Sequence, residues 1–238
     1  MRIVVCLAPP LADASLTALA SHDAHAVEAA LRIGERERAE GRTAELVVAA
    51  GAPVEALGTV RGALAMGVQR GALIDIEPGD EDLVGRASAV AAWVRDQSPD
   101  LVLCCPWSGD TAGTLFVAAM AEAAGMPVLT GARDLHLDAR SARIERQTEG
   151  ADERVVADLP CVVEVAETMN QARYPTVKGR ARAQHLPIDL VRRGDPEPSR
   201  VAAGPPTSVT ADRDTVVVDD PALAVDAIVS FLRGRDVA

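Results

Sequence analysis

The sequence predicts an α/β fold built on a doubly wound, mostly parallel sheet, with a small antiparallel addition and a C-terminal arm. Over the first 130 residues, apolar runs typical of strands alternate with amphipathic stretches typical of helices. The apolar runs are unbroken, which is typical of parallel strands covered on both faces. Beyond Leu129 short strand-like runs follow one another closely, separated by turns such as Glu149-Gly150, and this indicates the antiparallel or mixed addition.

Four strands and four helices are predicted in the parallel part. The strands span residues 2–7, 44–50, 72–76 and 101–105, and the helices span residues 23–40, 53–66, 81–96 and 110–124. Asp23 is the predicted N-cap of the first helix, whose charged residues are expected to lie opposite its apolar face. Pro53 and Gly67 mark the start and the end of the second helix.

The second half of the chain is predicted to hold the addition, a linker and the arm. The strands of the addition span residues 134–138, 143–148, 153–157 and 161–166, the Pro/Gly-rich linker spans 194–206, and a short extended run spans 215–218. A last amphipathic helix begins at Asp220-Pro221. We therefore expect a domain at 1–190 and a linker with an arm at 191–238, which docks either on its own domain or on another subunit.

Composition narrows the classes of function. Hydrophobic residues make up 48% of the 238 residues and aromatic residues only 2%, so the core must consist mainly of Ala, Val and Leu. The net charge of −11 repels nucleic acids and anionic membrane surfaces, so binding to either is not expected. Because no run approaches about 18 apolar residues and the first run is too short for a secretory signal, we expect a soluble, cytoplasmic protein without membrane insertion.

The cysteine and histidine residues give little evidence of metal binding or catalysis. The four cysteines, at positions 6, 104, 105 and 161, each lie in a strand-like apolar run and are expected to be buried, reduced thiols. His22 and His25 are spaced for one face of a helix, but no third ligand is evident, so no metal site is predicted. No catalytic triad can be assembled from spacing alone, so no catalytic residue is assigned.

The turn after the fourth strand is a candidate phosphate site. Its glycines lead into a helix N-terminus, whose free N–H groups bind phosphate, although an ordinary turn capped by Asp110 explains the pattern equally well. The first two strands end at the same edge of the sheet in small residues, where an adenine ring fits. The candidate nucleotide contacts are Ala8, Ala50, Pro106, Ser108, Gly109, Asp110, Thr111, Ala112, Gly113 and Thr114.

The stretch 144–184 holds the only tyrosine of the chain, Tyr174. An aromatic side chain in a polar, basic segment is badly placed for a core, and surface aromatic and Arg residues are typical of partner contacts. The segment therefore indicates function through docking, although a solvated loop would also explain Arg180 and Arg182.

Three motifs carry a resemblance to a known family. They are SHDAHAVEAALRIGE at 21–35, RGALAMG at 61–67, and the pattern Leu159-Pro160, Val162-Val163, Asn170 and Arg173-Tyr174 within 144–184. With these motifs nearly the whole chain resembles the beta subunit of electron transfer flavoprotein. The resemblance implies an adenine-nucleotide-binding (HUP-like) fold and a heterodimer with an alpha subunit that holds most of the FAD site.

The resemblance also implies roles for parts of this chain. AMP, or in some members a second FAD, would bind as a structural ligand with its phosphate at residues 106–114, and the C-terminal arm would pack on the alpha subunit. A recognition loop would contact the dehydrogenase that donates electrons, while the chain itself would turn over no substrate. The residues that the resemblance assigns to this contact are Tyr174, Thr176, Val177, Lys178, Arg180 and Arg182.

The chain departs from the family pattern at several positions. Ala8-Pro9 replaces Lys-Arg, Ala20-Ser21-His22 replaces Asn-Pro-Phe, and Val177-Lys178 replaces Leu-Pro, while Asp13 stands where an aromatic residue often lies near the flavin. These differences predict altered flavin contacts and a donor other than a common acyl-CoA dehydrogenase. They leave open whether AMP, a second FAD or neither binds.

Two further classes fit the sheet that the sequence predicts. One is a stand-alone adenine-nucleotide-binding module of the stress-protein kind, and the other is a nucleotide-activating ligase or hydrolase. The second would need a glycine-rich loop after the first strand, where this chain has Ala8-Pro9-Pro10, so it ranks last.

Overall fold

The computed structural model describes residues 1–7, 18–76, 83–106, 113–192, 218 and 220–233. The chain divides into two compact units, Met1–Ala202 and Ala203–Ala238, and each is described by itself. The predicted division after residue 190 stays a prediction.

The first unit contains ten strands and five helices among its described residues. The strands are β1 (Arg2–Leu7), β2 (Glu45–Ala52), β3 (Arg70–Asp75), β4 (Leu101–Cys104), β5 (Val128–Ala132), β6 (Asp134–Leu137), β7 (Ser141–Gln147), β8 (Asp152–Asp158), β9 (Cys161–Val165) and β10 (Ile188–Arg192). The helices are α1 (Ser21–Ala39), α2 (Leu57–Met66), α3 (Leu83–Gln97), α4 (Gly113–Ala124) and α5 (Val177–Ala183), and short 3₁₀ turns lie at Val54–Ala56 and Glu167–Met169.

Seven of the strands form one parallel sheet in the order β10-β3-β2-β1-β4-β9-β5. Strands β6, β7 and β8 form a separate antiparallel sheet. The predicted fold class, a doubly wound parallel sheet with a small antiparallel addition, is confirmed.

Helices cover both faces of the large sheet. Successive strand side chains point to opposite faces, so Val5 packs on the side of α1 and α2, whereas Val4 packs on the side of α3 and α4. All four cysteines are buried and free, as predicted. A core of small aliphatic residues brings the helices close to the strands, and Gly71 shows this directly because an added Cβ would lie 2.6 Å from Val60 Cγ1.

Several assignments in the second half of the sequence were wrong or missing. Strand β9 was expected in the small addition, but it lies in the large sheet between β4 and β5. Its residues are almost all buried, as in β1, because it has a neighbour on each side and helices on both faces. Strands β5 and β10 and helix α5 were not predicted.

Helix α1 also differs from its prediction. It begins at Ser21 rather than Asp23, its N-cap is Ala20, and no side chain caps it. Asp23 is fully buried in the first turn, and Glu28, expected on the charged exposed face, is only 3% exposed. The helix therefore buries carboxylates that its sequence pattern had placed in solvent.

The second unit contains helix α6 (Pro221–Arg233). Its predicted start is confirmed, because the Asp220 carboxylate accepts a hydrogen bond of 2.8 Å from the backbone N–H of Ala222. The apolar residues of α6 are exposed, and they are Leu223, Val225, Ile228, Val229, Phe231 and Leu232. The predicted linker and all but Val218 of the predicted extended run lie outside the described residues.

Among the described residues, every helix falls short of the length and apolar character that a membrane crossing requires.

Candidate functional site

The direction of winding reverses between β1 and β4. The chain leaves β1 for β2 on one side, and β4 then adds on the other side of β1, so the carboxyl ends of β2, β1 and β4 lie next to one another. Ligands of open α/β sheets bind at such a switch point. The three turns that the sequence selected as nucleotide contacts therefore begin at one edge of the sheet.

The structure describes only some of the predicted nucleotide contacts. Ala50 is buried near the end of β2, where it pairs with Leu7 of β1. Pro106 is half-buried after β4, and Gly113 and Thr114 begin helix α4. The other candidates, Ala8, Ser108, Gly109, Asp110, Thr111 and Ala112, lie outside the described residues, and nucleotide binding stays a prediction.

Two buried polar residues at the start of α1 lie near this edge. His22 Nε2 is 4.0 Å from the Asp23 carboxylate, and it has no hydrogen-bond partner among the described residues. Burial lowers the pKa of His22 more than the charge of Glu167 raises it, so the imidazole is neutral at pH 7. Sequence reasoning weighed His22 as a metal ligand without predicting a site, noted it as a departure from the family pattern, and took Asp23 as a helix cap.

A second candidate site is the Tyr174 segment, defined here as residues 170–186. Tyr174 is 90% exposed and Val177 is 87% exposed. The segment forms helix α5, and the Thr176 hydroxyl caps it by accepting a 2.9 Å hydrogen bond from the backbone N–H of Gly179. Arg180 and Arg182 therefore lie on a helix and not in the solvated loop that was the alternative.

The start of the Tyr174 segment is bound to helix α1. Arg173 Nε donates to Glu28 at 2.7 Å, and Arg173 Nη1 donates to Glu35 at 2.7 Å. Asn170 Nδ2 donates to the backbone oxygen of His25 at 2.9 Å. Burial alone would raise the pKa of Glu28, but its hydrogen bonds from Arg173 and Arg32 lower that pKa below the usual range.

The end of the Tyr174 segment is bound to helix α2. Arg61 Nη1 donates to the backbone oxygens of Ala183 and Leu186, at 2.5 and 2.6 Å, after the last turn of α5. Gly179 allows the two helices to approach, because an added Cβ would lie 2.4 Å from the backbone oxygen of Ala65. Between α1, α2 and the segment lies a cleft of about 870 Å³, lined in part by Leu19, Met66, Tyr174 and Arg180.

The Tyr174 segment is basic although the chain is acidic. It contains Arg173, Lys178, Arg180 and Arg182 and no Asp or Glu, whereas the chain carries a net charge of −11. Arg173 is paired with two carboxylates, but Lys178 and Arg180 have no ion-pair partner among the described residues. The segment therefore presents two exposed apolar side chains and free positive charge on a fixed backbone.

Neither a reactive thiol nor a metal-ligand cluster is found among the described residues. The buried thiols are poor nucleophiles, because burial raises the pKa of Cys161 to about 11. No group of three or more His, Cys, Asp or Glu in the described ranges is placed to hold a metal ion. The described geometry brings the strand ends together at one edge and exposes the Tyr174 segment, and ligand binding and protein docking at these places stay predictions.

Comparisons with known proteins agree with the motifs. Residues 11–196 match the family described as "Electron transfer flavoprotein domain". An "Electron transfer flavoprotein subunit beta" of Syntrophomonas wolfei is 27% identical over 179 residues, which cover 75% of this chain and 69% of that protein. The subunit beta of Mycobacterium bovis is 32% identical over 70% of this chain and 63% of its own length.

The human protein of the same name is 28% identical over 182 residues, which cover 71% of this chain and 66% of that protein. The matches thus span about two thirds of the length of these relatives. The family match covers the Tyr174 segment and every candidate nucleotide contact except Ala8, and it extends over most of the first unit. The chain therefore belongs to the electron transfer flavoprotein family, as a divergent member of its beta-subunit branch.

Proposed function

We propose that this chain is the beta subunit of a heterodimeric electron carrier. FAD held mainly by an alpha subunit takes electrons from a dehydrogenase and passes them to an acceptor, while the beta chain turns over no substrate of its own. Membership of the electron transfer flavoprotein family supports this role. In such a carrier the cofactor carries the electrons, and the protein supplies its position and electrostatic surroundings.

The residues of this chain support a flavin site that lies mainly on the partner. Among the described aromatic residues, Trp93 and Phe116 are buried in the core, and Tyr174 and Phe231 are exposed. The described part of the chain thus has no enclosed aromatic surface on which a flavin ring could stack. A flavin shared with an alpha subunit would find its stacking groups there.

The observation that carries the proposal is the exposed pair Tyr174 and Val177 on the anchored Tyr174 segment. Exposed aromatic and aliphatic anchors on a rigid surface are typical of docking sites. The free charges of Lys178 and Arg180 suit a partner whose docking surface is acidic, which also accelerates encounter. We assign donor docking to Tyr174, Thr176, Val177, Lys178, Arg180 and Arg182, with Thr176 acting through the cap of α5.

AMP at the strand ends is proposed as a structural ligand. The buried Nε2 of His22, which has no hydrogen-bond partner among the described residues, fits a bound group that supplies one. The same observation favours a second candidate function, a stand-alone adenine-nucleotide-binding module. A rise in melting temperature of the isolated chain with AMP or ATP would support nucleotide binding, and binding without any partner subunit would favour the module.

Helix α6 is proposed to dock on the alpha subunit as part of the C-terminal arm at 191–238. Its apolar residues are exposed, and an amphipathic helix can bind by placing such residues in an apolar groove of a partner.

The test is co-expression with an electron transfer flavoprotein alpha subunit encoded in the same genome. We expect a yellow 1:1 complex with flavin absorbance, whereas the chain purified alone should be colourless. The complex is then mixed with a panel of substrate-reduced flavoprotein dehydrogenases, and the one that reduces it most rapidly is called the working donor. A stable, colourless homodimer under co-expression would refute the proposal.

A further inference from the structure

One side of helix α1 is lined with groups that bind the start of the Tyr174 segment. They recur at spacings of three and four residues, which places them on one face of the helix. The four residues are His25, Glu28, Arg32 and Glu35, and each contacts the stretch 170–173.

Arg173 makes the largest number of these bonds. Besides the bonds from Nε and Nη1, its Nη2 donates to Glu28 at 3.1 Å and to Glu35 at 3.2 Å, and its backbone N–H donates to Glu28 at 3.3 Å. The planar guanidinium thus spans two carboxylates that lie about two turns apart on α1. Bidentate pairs of this kind fix orientation as well as distance.

The burial of Glu28 makes this contact specific. Its side chain is 3% exposed, and a buried carboxylate is costly unless it is paired and hydrogen-bonded. Arg173 and Arg32 supply the two charged partners, at 2.7 Å each. If the Tyr174 segment moved away from α1, Glu28 would lose one of them, so the segment is held in one place.

The other end of the segment is held independently. Helix α5 packs on α2 at Gly179, and Arg61 binds its last carbonyls. Tyr174 and Val177 lie between the two attachment points. Tyr174 lies on a stretch without regular structure, and Val177 is the first residue of α5. Fixing both ends limits the conformations that this short stretch can adopt.

We propose that Arg173 is a positioning residue for donor docking, which acts by binding Glu28 and Glu35 and thereby holding Tyr174 and Val177 in the docking conformation before the donor arrives. The inference rests on the proposed function of the segment. Arg173 itself contacts α1 and is not one of the residues assigned to the donor contact. Arg173 thereby reduces the conformational entropy that the segment would otherwise lose when the donor binds.

The first test is hydrogen–deuterium exchange of the full-length chain, read by mass spectrometry on peptides within 170–184. We expect Arg173→Gln to accelerate exchange there by about tenfold or more, and Glu35→Gln, which removes only the exposed carboxylate, to do so less strongly. Arg173→Lys, which keeps one charged contact, should be intermediate. Glu37→Gln is the matched control, because Glu37 lies on α1 but pairs with Arg42.

The second test measures electron uptake by the flavin complex from the working donor. We expect Arg173→Gln to raise KM by about tenfold, with a smaller change in kcat and an unchanged flavin content, and Glu37→Gln to match the wild type. If Arg173→Gln impairs folding, Glu35→Gln answers the same question, because the buried Glu28 then keeps both of its charged partners.

The outcomes separate this inference from the proposed function. Unchanged hydrogen exchange in Arg173→Gln and Glu35→Gln would refute the anchoring of the Tyr174 segment to α1, whatever the rate of electron uptake by the complex. Faster exchange with an unchanged KM would refute the docking role of Arg173. A wild-type complex that accepts electrons from no dehydrogenase of the panel would refute the proposed function, and the docking role with it. Faster exchange together with a raised KM supports the inference.

Discussion

Glu28 is a buried carboxylate on helix α1, and it binds a segment that lies 145 residues further along the chain. Nothing in the local sequence distinguishes it from the exposed charges of the same helix. Its environment follows from tertiary packing, because Arg173 reaches it only when the Tyr174 segment lies on α1. Composition indicated that Tyr174 is exposed, but the attachment of its segment to α1 could not be predicted, since pairing over this distance leaves no local pattern.

The ionisation of Glu28 links stability to pH. Because Arg173 and Arg32 hold its pKa below the usual value of about 4.3, the pair stabilises the fold fully above that pH, and the contribution is lost as pH falls through the lowered pKa. Glu35 also faces Arg173, whose hydrogen bond lowers the pKa of Glu35 as well. We expect Glu28→Gln to lower the free energy of unfolding by about 2–3 kcal/mol at pH 7, measured by urea denaturation.

The difference between wild type and Glu28→Gln should shrink below pH 4, since the variant has no carboxyl to protonate at this position. Glu37→Gln is the control and should change stability little, because its partner Arg42 is exposed to solvent. A difference that stays constant from pH 7 to pH 3 would contradict this account of Glu28.

Val177 is an apolar anchor on the proposed docking surface. We expect Val177→Asp to raise the KM for the working donor by at least about tenfold, because a charge replaces a side chain that the partner would bury. Flavin content should not change. Val156→Asp is the matched control, since Val156 is another exposed valine, on β8 of the antiparallel sheet. Equal effects of the two substitutions would rule out a specific contact at Val177.

Helix α5 shows how an element can depend on packing alone. It has seven residues, which is too short to be stable by itself in water, and it forms because it packs on α2 and is capped by Thr176. Gly179 is the position where the two helices meet. This is why the sequence predicted neither the helix nor the contact.

We expect Gly179→Ala to destabilise the first unit by about 1–3 kcal/mol, because the added methyl group would collide with the backbone oxygen of Ala65. The measurement is the melting temperature of the isolated chain, with urea denaturation for the free energy. Gly150→Ala serves as the comparison, since an added Cβ at Gly150 meets nothing within 4 Å. Equal melting temperatures of the two variants would show that α5 does not pack as described.

The elements that the sequence predicted well are those whose pattern reflects local burial. The run 2–7, which is buried from its second residue onward, was predicted as β1 with its observed limits. The run at β9 was recognised as a strand, but its place in the sheet was wrong, because an apolar pattern does not specify the neighbouring strands. Strand β10 lies at the sheet edge with Leu190 exposed, so it lacks the continuous apolar run of a central strand.

At the scale of the whole molecule, the arm and the first unit serve different contacts in the proposed complex. We expect the double substitution Ile228→Glu and Leu232→Glu to abolish co-purification of the yellow 1:1 complex, because two charges would enter an apolar interface. The melting temperature of the isolated chain should not change. Asp226→Asn, on the opposite side of α6, is the control and should leave the complex intact. A double variant that still yields full flavin content would exclude α6 from the interface.

The buried cysteines allow the opening of the first unit to be measured without any cofactor. The pKa of Cys104 is raised mainly by its hydrogen bond with Cys6 and also by burial. Burial raises the pKa of Cys161 to about 11. These two thiols therefore form little thiolate at pH 8. We expect iodoacetamide to modify all four thiols together and only as fast as the sheet opens, which mass spectrometry would record as a direct change from unlabelled to fully labelled chains. One thiol that reacted far ahead of the others would contradict this. The alkylation rate of each variant would then report how often its native state is lost, with no need for flavin, donor or partner subunit.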